Sequence, residues 1–270
     1  MKKHGTTLLL VLVFLLGVGI LMYPTVSDAV NRANQSRVVD RYDQKVRELQ
    51  NDPEKEAWLA DAETYNAAVR ADSKALLHPE EFPEYANLLN ISGTGVMGYI
   101  SIPKIRVTLP IYHGTDASVL QAGAGHLEGT SLPIGGLGTH AVLSAHRGLP
   151  SAKLFTDLDQ LEAGDTFEIT VLDQVMRYRV DQISIVLPTQ TDLLAIDPEE
   201  DFVTLMTCTP YGINSHRLLV RGCRIADDAR QIVVSSEAAR VEPMAVAAVL
   251  FLPILLIFLL IPKGRRHGNA

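Results

Sequence analysis

Apolar residues fall along this chain in three patterns, and each predicts a different kind of element. Residues 7–23 form an almost unbroken apolar run behind Lys2, Lys3 and His4. At 1.5 Å per residue, about 17 residues span roughly 25 Å, a short membrane crossing. Residues 244–261 form a second uncharged run, closed by Pro262, Lys263, Gly264, Arg265 and Arg266. Pro253 inside it does not exclude a span, because local adjustments satisfy freed carbonyls. The second pattern is helical. Val39, Tyr42, Val46 and Leu49 make one stripe within 26–49. Asp52-Pro53 then reads as an N-cap followed by a first-position proline, and Trp58, Ala62, Tyr65 and Val69 make a second stripe. Both stripes are too short for a heptad seam and predict packing on the rest of the protein. The third pattern is a series of short apolar runs at 96–102, 107–112, 139–146, 166–172, 176–187, 202–208 and 217–225. Gly, Pro and Asp punctuate them, which predicts a mainly β body closing into a barrel.

These patterns divide the chain into an N-terminal anchor or signal (1–24), a helical neck (25–74), a connection (75–95), the β body (96–228), a linker (229–243), a second transmembrane helix (244–262) and a basic tail (263–270). We read the first span as an uncleaved anchor. Its apolar run is long for a signal core, and Ser27-Asp28-Ala29 is a poor cleavage site. Residues 75–90 carry two prolines, an acidic pair and scattered aromatics without a period, as expected of a segment that packs over something or moves.

Charge adds an orientation. Basic residues flank the outer side of both apolar runs, which the positive-inside rule reads as two cytoplasmic termini. Setting aside Lys2, Lys3, Lys263, Arg265 and Arg266 leaves 19 of the 24 Lys+Arg against 31 Asp+Glu, a net of −12 between the spans. An acidic domain outside the membrane excludes nucleic acid and favours basic or neutral partners. Its roughly 220 residues suffice for one domain with a sizeable core.

The candidate chemistry centres on Cys208. An apolar run delivers this thiol to its end, Pro210-Tyr211-Gly212 make a turn, and Arg217 opens the returning run. A free thiol is only a few per cent ionised near pH 7, so a nucleophile needs a neighbouring base or cation. His146 ends the apolar run Ala141-Val142-Leu143-Ser144-Ala145 and so sits at a strand-to-loop junction. Spacing alone does not separate it from His126, His140 or His216, and Arg147 and Arg221 rival Arg217. Cys223 lies six residues beyond Arg217, roughly 20 Å from Cys208 at about 3.3 Å per residue. A disulfide needs alpha carbons within about 7 Å, so Cys223 is read as a small buried hydrophobe. No HExxH or CxxC is present, and the cluster Gly135-Gly136-Leu137-Gly138 lacks a Walker lysine. No metal, cofactor or phosphate site is expected.

Three stretches then carry a resemblance. Thr207-Cys208-Thr209-Pro210-Tyr211-Gly212, with Asn214 and His216-Arg217-Leu218-Leu219-Val220-Arg221-Gly222 after it, closely resembles the active-site signature of class C sortases, the pilus-assembling branch of that family. Gly125-His126-Leu127-Glu128-Gly129-Thr130-Ser131-Leu132-Pro133 and the run from Thr139 through His146-Arg147-Gly148-Leu149-Pro150 are similar to the same branch, as is Gly98-Tyr99-Ile100 with Ile102-Pro103. The resemblance implies a closed eight-stranded sortase-type β-barrel, here with a helical neck and two flanking transmembrane helices. It implies a membrane-bound cysteine transpeptidase with Cys208 as nucleophile, His146 as acid/base partner and Arg217 as oxyanion and substrate-binding group. His126, His140 and His216 are assigned to structure. The implied partners are a secreted pilin or surface protein with an LPXTG-like sorting signal, and an acceptor lysine of the next pilin.

One departure stands out. Class C enzymes carry a lid before the barrel with an Asp-Pro-aromatic tip. The corresponding place here reads His78-Pro79, with Phe82 as the nearest following aromatic. Two other readings stay open: housekeeping attachment of surface proteins to a cell-wall amine, and a non-enzymatic, membrane-tethered pilus component. The second is disfavoured because Val241-Glu242-Pro243 is no sorting signal, and Leu187-Pro188-Thr189-Gln190-Thr191 lies inside the body and lacks the glycine.

Overall fold

A computed structural model describes residues 2–49, 53–72 and 74–226. The expected second span, the linker before it and the basic tail lie outside these residues, as does Asp52, the expected helix cap.

The first apolar run and the first neck stripe, expected as separate segments, form one helix, α1 (Lys2–Glu48). Its N-terminal part is apolar all round and largely exposed from Leu8 through Tyr23, and it is the one helix among the described residues long and apolar enough to cross a membrane. Further along, Gln35, Tyr42 and Val46 are buried against the body. The Tyr42 hydroxyl donates to the Met97 carbonyl at 2.9 Å and accepts from the Leu172 N–H at 2.8 Å, tying the helix to one strand and to the turn that follows another. The second helix, α2 (Glu54–Ala71), buries Ala62, Tyr65 and Val69 as its stripe predicts. It also buries Asn66, whose amide accepts from Leu132 N–H at 2.7 Å and donates to Leu132 O at 3.2 Å, as a neighbouring strand would.

Eight strands close the barrel in the order β1-β2-β3-β4-β7-β8-β6-β5. They are β1 (Val96–Ile102), β2 (Val107–His113), β3 (Ala124–His126), β4 (Thr139–Ser144), β5 (Thr166–Val171), β6 (Gln174–Val186), β7 (Asp201–Thr209) and β8 (His216–Arg224). Seven match the expected runs to within a few residues. The eighth, β3, was missed because three residues cannot display alternation. Its parallel pairing with β2 and antiparallel pairing with β4 hold it, and a short helix, α3 (Ala117–Ala122), makes the crossover from β2. On β7, Val203, Leu205 and Thr207 point to one face and Thr204, Met206 and Cys208 to the other.

The connection 75–95 docks through Tyr85. Its hydroxyl meets Nδ1 of the fully buried His126 at 2.9 Å, while His126 Nε2 donates to Ser131 O at 2.7 Å. Burial lowers the His126 pKa to about 4, so the ring is neutral in the folded chain. Between pH 6.5 and 4 the unfolded chain therefore takes up a proton that the folded chain refuses, and stability falls as pH falls. On this account urea denaturation at pH 5 gives a stability about 2 kcal/mol below that at pH 7. The His126 ring signals, followed by NMR, stay unshifted from pH 8 down to about 5.

Candidate active site

Cys208 and Arg217 are directly opposite each other in the β7–β8 ladder, one at the close of its strand and the other at the opening of its partner. Such partners have alpha carbons about 4.5–5.5 Å apart and point their side chains to the same face. His146 arrives from the other side. Strand β4 runs parallel to β7, and their last register pair is Ser144 with Met206. The chains stay joined beyond it: Ala145 N–H donates to Met206 O at 3.2 Å, and the Thr207 hydroxyl donates to Ala145 O at 2.8 Å. His146 and Cys208 thus each lie two residues past the last pair, on chains about 4.8 Å apart. A hydrogen bond from Phe155 N–H to His146 O, 3.1 Å, fixes the start of the loop that follows.

The hydrogen-bond inventory separates these residues from their rivals. Arg217 donates to the carbonyls of Asn214 at 3.3 Å and His216 at 3.1 Å, and among the described residues it makes no ion pair. Its charge is left for an oxygen that brings its own negative charge. Arg221 instead pairs with Asp181 and lies over the Phe202 ring at 4.1 Å. Arg147 pairs with Asp159 and donates to the Thr209 hydroxyl at 3.4 Å, so it braces the loop after His146 against the residue next to Cys208. The same loop is covered by Tyr211: a Cβ at Gly148, where φ is +75°, would stand 2.5 Å from the tyrosine ring.

Three histidines have other duties. His126 is locked between Tyr85 and Ser131, His140 between the Ala195 carbonyl at 2.9 Å and the Thr204 hydroxyl at 2.7 Å, and His216 faces Ser215. Cys223 lies opposite Phe202 in the same ladder, six places from Arg217, and both cysteines are free. Its thiol donates to Glu200 Oε2 at 3.2 Å, and burial together with that carboxylate pushes it up to about 11. At pH 7.5 the Cys223 thiolate is therefore about one part in a few thousand. Iodoacetamide at that pH is expected to add one carboxamidomethyl group by intact mass, at Cys208, and none to a Cys208→Ala chain.

The connection reaches this face through a residue that sequence reasoning passed over. Leu76 packs on an apolar patch of Val142, Leu194 and Leu219, edged by Leu127, Val186 and Met206. Met206 shares a face with Cys208 two residues on, and Leu219 is its register partner. A cavity of about 310 Å³ opens beside Leu76, between the end of α2 and residues Thr191 to Ile196. The expected tip residues have local neighbours of their own. Phe82 is buried edge-on against Tyr65, with ring centroids 5.4 Å apart. His78 is half-exposed and faces Glu80 at 3.4 Å, and Pro79 opens a single 3₁₀ turn. Nothing in the sequence marks Leu76, since the connection holds two leucine pairs, Leu76-Leu77 and Leu88-Leu89, without a period.

Comparison with known proteins places this geometry. Residues 100–225 match the family model for the sortase domain. The chain is 30% identical over 166 residues to sortase D of Bacillus subtilis, covering 60% of this chain and 74% of that protein. Among solved structures, sortase C1 from Streptococcus agalactiae is 45% identical with a TM-score of 0.65, covering 71% of this chain and all of that one. Sortase C-1 from Streptococcus pneumoniae is 46% identical with a TM-score of 0.64, covering 70% of this chain and 98% of that one.

Proposed function

Because the chain belongs to the sortase family, whose members are cysteine transpeptidases, we propose that it is a pilus-assembling enzyme. In this reading it cuts an LPXTG-like sorting signal and joins it to a pilin lysine. The observation that carries the proposal is an arginine with no ion pair among the described residues, directly across the ladder from a free cysteine, with His146 on the adjoining parallel chain. The class C branch draws support from structural relatives that match nearly end to end, one of them described as sortase C1 of a pilus island.

The proposed sequence of steps follows from the placement. Cys208 Sγ, its proton passed to His146, attacks the carbonyl carbon of the signal's Thr–Gly bond, and the electron pair of the C=O moves onto oxygen. Arg217 meets that oxyanion and donates hydrogen bonds to it. His146 protonates the departing glycine amine as the C–N bond breaks, leaving a thioester on Cys208. A neutral lysine amine then attacks the thioester, His146 takes its proton, and the C–S bond breaks with its electron pair on sulfur as the new amide bond forms, restoring the cysteine–histidine pair with its one proton. The α1 span anchors the barrel, which lies outside the cell membrane, and both termini are cytoplasmic. Leu76 serves as the closure of the lid, lying on the face along which the signal must run to reach Cys208.

Intact mass of the full chain in detergent, mixed with an LPXTG peptide, tests the proposal. A thioacyl adduct that disappears when a lysine-bearing pilin fragment is added supports pilus assembly. Resolution by a peptidoglycan amine and not by the pilin fragment would transfer the enzyme to wall anchoring, and no adduct with any sorting peptide would remove the transpeptidase reading. Leu76→Ser tests the lid. Losing an apolar contact worth about 1–2 kcal/mol should raise the open fraction about 5–30-fold, read as faster modification of Cys208 by a bulky thiol reagent. An unchanged rate would leave Leu76 without a gating role.

A further inference from the structure

We infer that the loop between β7 and β8, through Tyr211 and Ile213, docks into the outer leaflet of the lipid bilayer. This inference rests on the reading of α1 as a membrane anchor. The helix continues through Pro24, which can bend but does not end it, from its apolar part into its contacts with the barrel, so distance along its axis sets an upper limit on height above the membrane. A hydrocarbon core about 30 Å thick takes about 20 residues at 1.5 Å each, and from Thr7 this places the boundary near Val26. Tyr23, exposed beside that boundary, suits the headgroup level where aromatic residues collect.

The first contacts with the barrel come almost at once. Asp28 accepts from Lys153 N–H at 2.7 Å, and the Asn31 amide donates to Ser151 O at 2.6 Å. These residues stand roughly 3–8 Å beyond Val26 along the axis, within or at the edge of a headgroup layer about 5–7 Å deep. Ser151 and Lys153 belong to the loop that starts at His146, so the end of the barrel bearing Cys208, Arg217 and His146 faces the membrane. Tyr211 rests on Gly148 of that loop, only three residues and at most about 11 Å from Ser151.

On this membrane-facing end the turn carries an apolar pair in the open. Tyr211 is 62% exposed and Ile213 72%. No charged residue lies between Cys208 and Arg217. An aromatic with a polar tip and a neighbouring aliphatic side chain match the chemistry of the interfacial layer, where one end of a group is wet and the other is not. Leu137 offers the contrast. It is 70% exposed, but it precedes β4 at the opposite end of the barrel, where Gly138 bonds to Glu200.

The test uses the full chain with its single tryptophan replaced, Trp58→Phe, reconstituted into vesicles of phosphatidylcholine and phosphatidylglycerol. The acyl chains carry bromine near their headgroup end. Ile213→Trp and Leu137→Trp are made separately in that background, with Tyr211→Trp as a second probe of the same loop should Ile213→Trp fail to fold. The brominated lipid is expected to quench the loop tryptophan about three-fold or more beyond that at 137, with the reverse order for aqueous acrylamide. Equal quenching at both ends, or a loop tryptophan open to acrylamide and untouched by bromine, overturns the inference. Flotation of the vesicles keeps the two ideas apart. Protein that fails to float removes the anchor, whereas protein that floats with an unquenched loop removes only the docking.

Discussion

Cys208→Ala abolishes formation of the thioacyl adduct and lowers transpeptidation by on the order of 10⁴-fold or more, because no other group can take over the covalent step. The expectation is this severe because the alternatives are occupied. Cys223 lies six ladder places from Arg217, and its thiol is held protonated by burial and Glu200. Hydroxyls close to Cys208 are committed as well: Thr207 donates to Ala145 O, and Thr209 accepts from Arg147. The Cys208 thiol makes no hydrogen bond among the described residues, so its removal should leave thermal stability nearly untouched. The measurement is single-turnover peptide cleavage beside a melting curve. Residual cleavage within about 100-fold of the native rate would show a reaction that does not pass through this thiol.

His146→Ala and Arg217→Ala should each cost about 10²- to 10⁴-fold, with different kinetic signatures. Histidine loss removes a proton donor and acceptor, so its effect should fall on the turnover number and shrink when the leaving amine is replaced by a more acidic leaving group. Arginine loss removes charge from the oxyanion, and the leaving group should not rescue it. Arg217→Lys restores the charge without the planar fork, and is expected to recover only part of the loss. Arg147→Ala provides the internal comparison. It breaks a brace on the His146 loop, so a modest loss with lowered stability is expected in place of a selective loss of turnover. If Arg217→Ala leaves single-turnover acylation unchanged, the pairing across the ladder has no catalytic meaning.

Much of this architecture was legible in the sequence because period-2 runs and turn residues mark strands directly. The barrel's long strands, the second neck helix and the placement of Cys208 at a strand end all follow from that pattern. Strand β3 did not, since its identity depends on neighbours brought in from β2 and β4. The continuity of α1 was hidden for a related reason. Pro24 and the change from an all-round apolar surface to a single stripe look like a boundary in sequence, but a helix can cross a change of solvent without ending. The choice among histidines and arginines was open on spacing alone. The resemblance to class C sortases assigned His146 and Arg217, and the hydrogen bonds and ion pairs add that several of their rivals are already engaged. Leu76 escaped notice because a leucine in an aperiodic connection carries no mark of what it will cover.

The unbroken passage of α1 from its apolar part to the barrel also constrains how the enzyme meets its substrates. A continuous helical stalk, bent at most at Pro24 and pinned to the barrel at Asp28, Asn31 and Tyr42, removes most of the freedom to tumble. Under the proposed function, with α1 as the anchor, encounter with a substrate held at the same membrane becomes a planar search, with the thiol kept near one height. Confinement of both reactants to a thin layer acts like a high effective concentration, so weak recognition of a short peptide can sustain useful flux. A soluble version of the barrel, cut free of its stalk, would lose that advantage while keeping every group of the active site.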